Sequence, residues 1–384
     1  MSRVRWRVAV AGASIFMLGQ VLLAGPVGAV SGSVTITADM PSAVPAGRNW
    51  SFNDFFPRTV RVPTGTDIKF INQGFHTFTL LPAGVTATQD QHGNGLAVND
   101  TDDSGLNVNG TTHSELNLPA LGPTSFTCGS PAAPCGFDGS AVVSSGAPFG
   151  PPAPFVVHVS AAPGSYVFHC RVHAGMSGRL DVLPANATGS TASQLDKQVA
   201  RQVKHDLKGA WAADRRANHD ALILNEDGTR TWHVTAGTSS ADGRVALLEF
   251  LPKAIDIQHG DSVVFRPRSP NEPHTVTFPG DLGTEFAPFC EVGATDVPLG
   301  PTGCNFGPPD ELELDGGNGV WQVTTPTTVS DSGIIGPPRL ASDNGLPSTA
   351  ILNTWTVSFA GAEAGRYTYV CQIHGGMAGT INVH

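Results

Sequence analysis

Tyr166–Gly178 reads YVFHCRVHAGMSG, and near the C-terminus Tyr367–Gly379 reads YTYVCQIHGGMAG. Both hold the pattern Cys-x-x-His-x-x-Met, as Cys170, His173 and Met176, then as Cys371, His374 and Met377. With a thiolate, an imidazole and a thioether three residues apart, one tight loop can turn all three toward a single point. A soft thiolate, an imidazole nitrogen and a weak axial Met suit copper in an electron-transfer site.

That ligand set lacks a second His. Each repeat has a candidate far upstream, His76 in QGFHTFTL and His274 in NEPHTVTF. Cys170 follows His76 by 94 residues and Cys371 follows His274 by 97, so the two candidate sites have matched internal spacing. A lone Cys-x-x-His would read equally as a buried Cys near a surface His. Structural zinc sites usually present two Cys/His pairs and no Met, which ranks zinc behind copper.

Both loops resemble those of the cupredoxins, the plastocyanin, azurin and amicyanin family, and the short Cys-x-x-His-x-x-Met spacing is most similar to amicyanin. The resemblance covers two tandem repeats. It implies an all-β chain of two Greek-key β-sandwich domains, one type 1 copper per domain, and electron transfer. It also implies that the loop histidines, His173 and His374, form the exposed edge through which electrons pass, with Ala174, Gly175, Gly375 and Gly376 as small neighbours that let a partner approach. His169 stands directly before Cys170. In copper nitrite reductases and multicopper oxidases a His at that place binds a catalytic copper, whereas amicyanin carries one there without ligation. The second repeat has Val370 instead.

Working outward, strand alternation puts Tyr166, Phe168 and Cys170 on one face, and Tyr367, Tyr369 and Cys371 likewise. In the first repeat, 31–184, Ser33–Ala38 reads as an edge strand. Phe55–Val62 and Asp67–Asn72 follow, with Val60 and Val62 on one face and Arg61 on the other. Residues 83–154 are rich in Gly, Asn, Asp, Ser and Pro and read as a long loop insertion. Phe155–Ser160, Ser165–Cys170 and Gly178–Leu183 close the sandwich. In the second repeat, 220–384, Val245–Leu251, Ala254–Gln258 and Ser262–Arg266 reproduce the early strands. Trp355–Phe359, Tyr367–Cys371 and Gly379–Val383 reproduce the closing ones. Phe250-Leu251-Pro252-Lys253 echoes Phe55-Phe56-Pro57-Arg58, as a duplicated unit requires. Between the repeats, the linker 185–219 carries Leu195, Val199, Val203, Leu207 and Trp211 every four residues. That spacing predicts an amphipathic helix capped by Ser193, with Lys197, Arg201, Lys204 and Lys208 on its solvated face.

Gly (45) and Pro (30) are abundant and charged residues are only 14%, which fits short strands and turns rather than long helices. Arg3, Arg5 and Arg7, an apolar run from Val8 to Leu23 and Val27-Gly28-Ala29 read as a cleaved signal peptide, 1–29. The chain is then expected outside the cytoplasm, as a periplasmic, cell-surface or extracellular protein with no membrane span after cleavage. Export permits disulfides. The four cysteines left over fall one pair per insertion, so Cys128–Cys135 and Cys290–Cys304 are the expected bridges. Other pairings of the four stay open on sequence alone.

The formal net charge is −10 and no basic stripe exists, which argues against nucleic-acid binding. Residues 220–384 carry 19 acidic against 7 basic side chains, and residues 31–184 carry 10 against 6. That asymmetry points to a basic redox protein partner. The expected function is an exported electron carrier with two type 1 coppers and no turnover of its own. Two alternatives stand beside it. One is a copper enzyme, nitrite reductase-like or oxidase-like, with a further copper between domains. The other is a copper-binding or storage protein. Trinuclear oxidase sites need His-x-His pairs, and none of the 13 His forms one.

Overall fold

The computed structural model describes residues 33–95, 97–99, 114–116, 118–148, 153–218, 222–270, 272–280, 320–328, 330–332, 335–337 and 353–384. The signal-peptide reading of 1–29 and the Cys290–Cys304 pairing fall outside them. Among the described residues, no helix is long and apolar enough to cross a membrane.

Each repeat builds two sheets face to face. In the first, one sheet runs in the order Phe55–Phe56, Val34–Ala38, Thr66–Asn72, Phe155–Val159, Cys135–Phe137. The other runs Val143–Ser144, Thr79–Leu80, Gly164–His169, Ser177–Leu183, Thr59–Pro63. Ile36, Phe70 and Val157 from one sheet meet Val62, Leu80, Phe168 and Leu180 from the other in a single buried cluster. The second repeat does the same with Val234, Phe265 and Val357 against Ile255, Phe278, Tyr369 and Ile381. Its pairings match too. Val34–Ala38 lies parallel to Thr66–Asn72, as Arg230–Ser239 does to Ser262–Arg268. Ser177–Leu183 lies parallel to Thr59–Pro63, as Ala378–Val383 does to Ala254–Ile257. The chain is therefore all-β in architecture, with two tandem sandwiches and one long helix between them.

Four expectations change in detail. Ser33–Ala38 is not an edge strand, because the two residues Phe55–Phe56 pair outside it. Phe55–Val62 is not one strand. Pro57 has no N–H to donate and restricts the residue before it, so the chain breaks there and its two pieces enter different sheets. The insertion 83–154 is not purely loop. It supplies a helix, Ala87–Asn94, and strands Cys135–Phe137 and Val143–Ser144 that extend both sheets. These elements are two to eight residues long, too short to give a periodic signal. The Cys128–Cys135 disulfide ties the base of Cys135–Phe137 to the preceding loop.

The long helix spans Ala192–Ala217 and is capped by Thr191, not Ser193. Thr191 and Gln194 form a reciprocal capping box that satisfies two of the otherwise orphaned N–H groups. Its apolar stripe is only half-buried, and Trp211 is 36% exposed. The deepest positions are Gln202, Asp206, Ala210, Ala213 and Asp214. Asp214 pairs with Arg48 at 2.9 Å, while Gln202 and Asp206 face backbone and charge at the Pro57 break. Gln202 Nε2 donates to the Phe55 carbonyl, and Arg58 places Nη2 2.8 Å from Asp206 and Nε 2.6 Å from Asp54.

The two repeats are joined by more than the helix. Strand Trp50–Phe52, from the first repeat, pairs antiparallel with Val245–Leu251 in the second repeat's sheet. Trp50, Phe52, Phe56, Ala210, Ala213, Val245 and Leu247 close a third core around that crossing. Arg244 reaches back to Asp54 at 3.2 Å. This crossing sets which ends of the two sandwiches meet.

Candidate metal centres

Cys170 sits just past strand Gly164–His169, and the loop turns back at once. Cys170 N–H donates to the Met176 carbonyl at 3.0 Å, and Met176 N–H to the His173 carbonyl at 3.0 Å. Gly175 makes that turn at φ +87°, where a side chain would be strained. The second loop repeats it, with Cys371 and Met377 bonded at 2.9 Å and Gly376 at φ +78°. Tyr166, Phe168 and Cys170 all point inward, as do Tyr367, Tyr369 and Cys371. Phe168 packs edge-on against Phe55 at 5.1 Å, and Tyr369 against Phe250 at 4.7 Å.

The two distant histidines arrive where the spacing placed them. His76 Nδ1 lies 3.0 Å from His173 Nδ1 and 3.9 Å from Cys170 Sγ, and His173 Nδ1 lies 3.6 Å from the same sulfur. His274, Cys371 and His374 bring one ligand atom each within 4.8 Å of one another, with His374 Nδ1 3.6 Å from Cys371 Sγ. Met176 and Met377 are buried in the same loops. His274 fits against Gly237, where any Cβ would overlap its ring.

Burial opposes charge at both centres and is outweighed. It raises the Cys170 and Cys371 thiols, yet the two imidazoles beside each sulfur outweigh it and bring both well below the usual thiol range. It lowers His173, but the Glu272 charge and Cys170 lift that imidazole to about 10. His374 is lifted to about 9 by Cys371 and Glu272, again against burial. His274 is lowered, chiefly by burial. The surroundings of each centre thus favour a thiolate beside a protonated imidazole. Thr77 N–H donates to Cys170 Sγ at 3.3 Å and Thr275 N–H to Cys371 Sγ at 3.4 Å. The hydroxyls of Thr77 and Thr275 accept from Arg171 N–H and Gln372 N–H, both at 2.8 Å, and lock each loop to the strand opposite.

The residues fit a copper ion. Two nitrogens, a thiolate and a thioether form the donor set, and among the described residues neither buried ring nitrogen of His274 finds a hydrogen-bond partner. Buried polar atoms are otherwise almost always paired, and a metal would satisfy one of them.

Two features depart from the sequence reading. His173 is not an exposed edge, being 7% exposed, and His374 is only partly exposed. Their outer nitrogens face one buried carboxylate. His173 Nε2 lies 3.1 Å from Glu272 Oε1, and His374 Nε2 lies 3.5 Å from Glu272 Oε2. Gly175, Gly375 and Gly376 are exposed, while Ala174 is buried. The second feature is the setting of His169. Its Nε2 lies 2.8 Å from Asp90 Oδ2, and Arg171 grips the same carboxylate at 2.7 and 2.8 Å. Asp90, from the insertion helix, is thereby lowered to about 2: burial would raise it, but His169 and Arg171 prevail. Sequence reasoning passed over Thr77, Thr275, Glu272 and Asp90. The doubled His-Thr dipeptide was the available signal for the two threonines.

Of the other histidines, His158 pairs with Asp67, His384 with Asp256, and His205 with Asp206 beside Asp242 on the surface. His113 and His219 lie outside the described residues.

No model of a known protein family matches the chain, and no curated protein does. Solved structures do. Auracyanin from Roseiflexus castenholzii is 18% identical over 40% of this chain and 97% of its own, with a TM-score of 0.23. An amicyanin variant is 14% identical over 43% and 93%, at 0.20. A Cu-containing nitrite reductase from Thermus scotoductus is 13% identical over 92% and 68%, at 0.22. Likenesses this low carry no argument about function.

Proposed function

We propose that this chain is an exported blue copper protein that binds two type 1 coppers, through His76, Cys170, His173 and Met176 and through His274, Cys371, His374 and Met377, and passes electrons between redox partners. The observation that carries this reading is the pair of equivalent His–Cys–His clusters, buried except for the partly exposed His374 and each with a backbone N–H aimed at its sulfur. Bound copper would supply the one-electron change. The protein's part is to hold the donors in place beforehand, so that little rearranges between oxidation states. Burial keeps water from the sulfur, the threonine N–H groups stabilise it as thiolate, and the loop carbonyl bonds fix its distance from both imidazoles.

The carrier reading is favoured over an enzyme by one contact. His169, the residue best placed to join a catalytic copper, has its Nε2 engaged by Asp90. The acidic bias of residues 220–384 supports a basic partner, and association should then slow as salt is added. An electron-exchange rate indifferent to ionic strength would sink the partner proposal.

The reading is tested with Cys170→Ala and Cys371→Ala. Each is expected to remove about half of the intense visible absorption that a copper–thiolate bond gives. A variant that keeps the full absorption would mean that its site is not a blue copper centre.

A further inference from the structure

The duplication breaks beside the two centres at the residue two before each upstream histidine. The first repeat reads Gly74-Phe75-His76 where the second reads Glu272-Pro273-His274. A Cβ at Gly74 would lie 2.8 Å from both Asp39 Oδ2 and His76 Nε2, so the first repeat has no room there for a carboxylate of its own. Glu272 serves both centres instead. It is 4% exposed, and its oxygens are divided between Nε2 of His173 and Nε2 of His374. Asn53, next to the crossing strand, donates Nδ2 to Oε1 at 2.6 Å and fixes the carboxylate's tilt. On the far side of the second loop, Asn49 Nδ2 donates to the Gly375 carbonyl at 3.0 Å.

The partner on a ligating imidazole's other nitrogen sets its orientation and basicity. At most metal sites each imidazole has its own partner. Here one rigid carboxylate faces two imidazoles from two sites, so a movement toward one is a movement away from the other. We propose that Glu272 couples the two His–Cys–His centres into one unit, so that the metal state of one is sensed at the other. The coupling is reciprocal by thermodynamic necessity. It rests on the two-metal reading above.

The test uses the full chain and Cu(II) itself. Wild type, Glu272→Gln, Glu272→Ala and the half-site variants Cys170→Ala and Cys371→Ala, each half-site change made in both the wild-type and the Glu272→Ala background, are titrated with copper, and the electron paramagnetic resonance spectrum of each is recorded. Glu272→Ala is expected to weaken copper at both centres by about tenfold or more. Glu272→Gln, which keeps the shape and loses the charge, should weaken both by less. A readout that a purely structural role would not move is additivity of the spectra. With Glu272 present, the two half-site spectra summed should fail to reproduce the wild-type spectrum. In the Glu272→Ala background the sum should reproduce it.

The proposal is overturned if the half-site spectra already add up in the wild-type background. It is overturned equally if both Glu272 variants leave either affinity within about threefold of wild type, a smaller effect than an orienting partner gives. Should Glu272→Ala fail to fold, Glu272→Gln decides by the same criteria, checked by its near-ultraviolet circular dichroism. Wild-type protein that takes up no copper would contradict the metal reading itself, a different outcome from independent sites.

Discussion

The backbone N–H of Thr77 donates to Cys170 Sγ at 3.3 Å, across 93 residues of sequence. Thr275 and Cys371 repeat the contact at 3.4 Å. Each contact favours the thiolate form of its sulfur, with the raised imidazole of His173 or His374 beside it as countercharge.

That arrangement predicts proton release on loading. A ligating imidazole nitrogen must be deprotonated, yet the His173 imidazole is lifted to about 10 and the His374 imidazole to about 9. At pH 7.5 both are protonated, so each copper bound should release about one proton and apparent affinity should rise with pH. Calorimetric titration in two buffers of different ionisation enthalpy measures this. Heats that do not depend on the buffer would contradict it.

Asp90 is expected to hold the insertion onto the first sandwich. Replacing one partner of a buried ion pair costs about 3–5 kcal/mol, and Asp90→Asn would leave Arg171 without its charge partner and weaken the hydrogen bond with His169. Denaturant unfolding should show a loss of about 3 kcal/mol. The sign with pH follows from a depressed carboxylate. Its contribution is present above the ordinary Asp value near 3.8 and is lost as pH falls through about 2. In Asp90→Asn, the part of the acid destabilisation that falls between pH 4 and 2 should shrink. A variant as stable as wild type would rule this out.

Tyr369 should be improvable. Its hydroxyl is fully buried and has no hydrogen-bond partner among the described residues, and burial raises it far above its usual value. The first repeat places Phe168 at the same position in the loop-bearing strand. Tyr369→Phe removes an uncompensated hydroxyl and keeps the ring that packs on Phe250 and Phe265. A gain of about 1 kcal/mol is expected, visible as a higher Tm by scanning calorimetry. A lower Tm would show that the hydroxyl has a partner that matters.

The candidate ligands stand out in the sequence because three of the four in each set lie within one loop and because the chain repeats them. Cys170, His173 and Met176 identify the chemistry. His76 is then found because His274 stands at nearly the same spacing in the second repeat. Strands with closely recurring apolar residues were legible, as Phe155–Val159 was, whereas Arg230–Ser239 was not among the strands read from the second repeat. Glu272 was not. Its partner His173 belongs to the other repeat, and the two meet only because Trp50–Phe52 crosses over, a three-residue strand with no period to read. The helix was legible from its apolar spacing, but not its buried face. Gln202 and Asp206 look like surface residues until the Phe55 carbonyl and Arg58 are placed against them.

The central claim is that the chain holds two equivalent blue copper centres. It is tested most directly by measuring copper per chain together with the electron paramagnetic resonance spectrum of the fully oxidised protein. Two coppers per chain are expected, both with the narrow hyperfine splitting of a thiolate-bound cupric ion and neither with the wide splitting of an ordinary cupric site. One copper per chain, or a second ion with an ordinary cupric signal that disappears in His169→Ala, would contradict it.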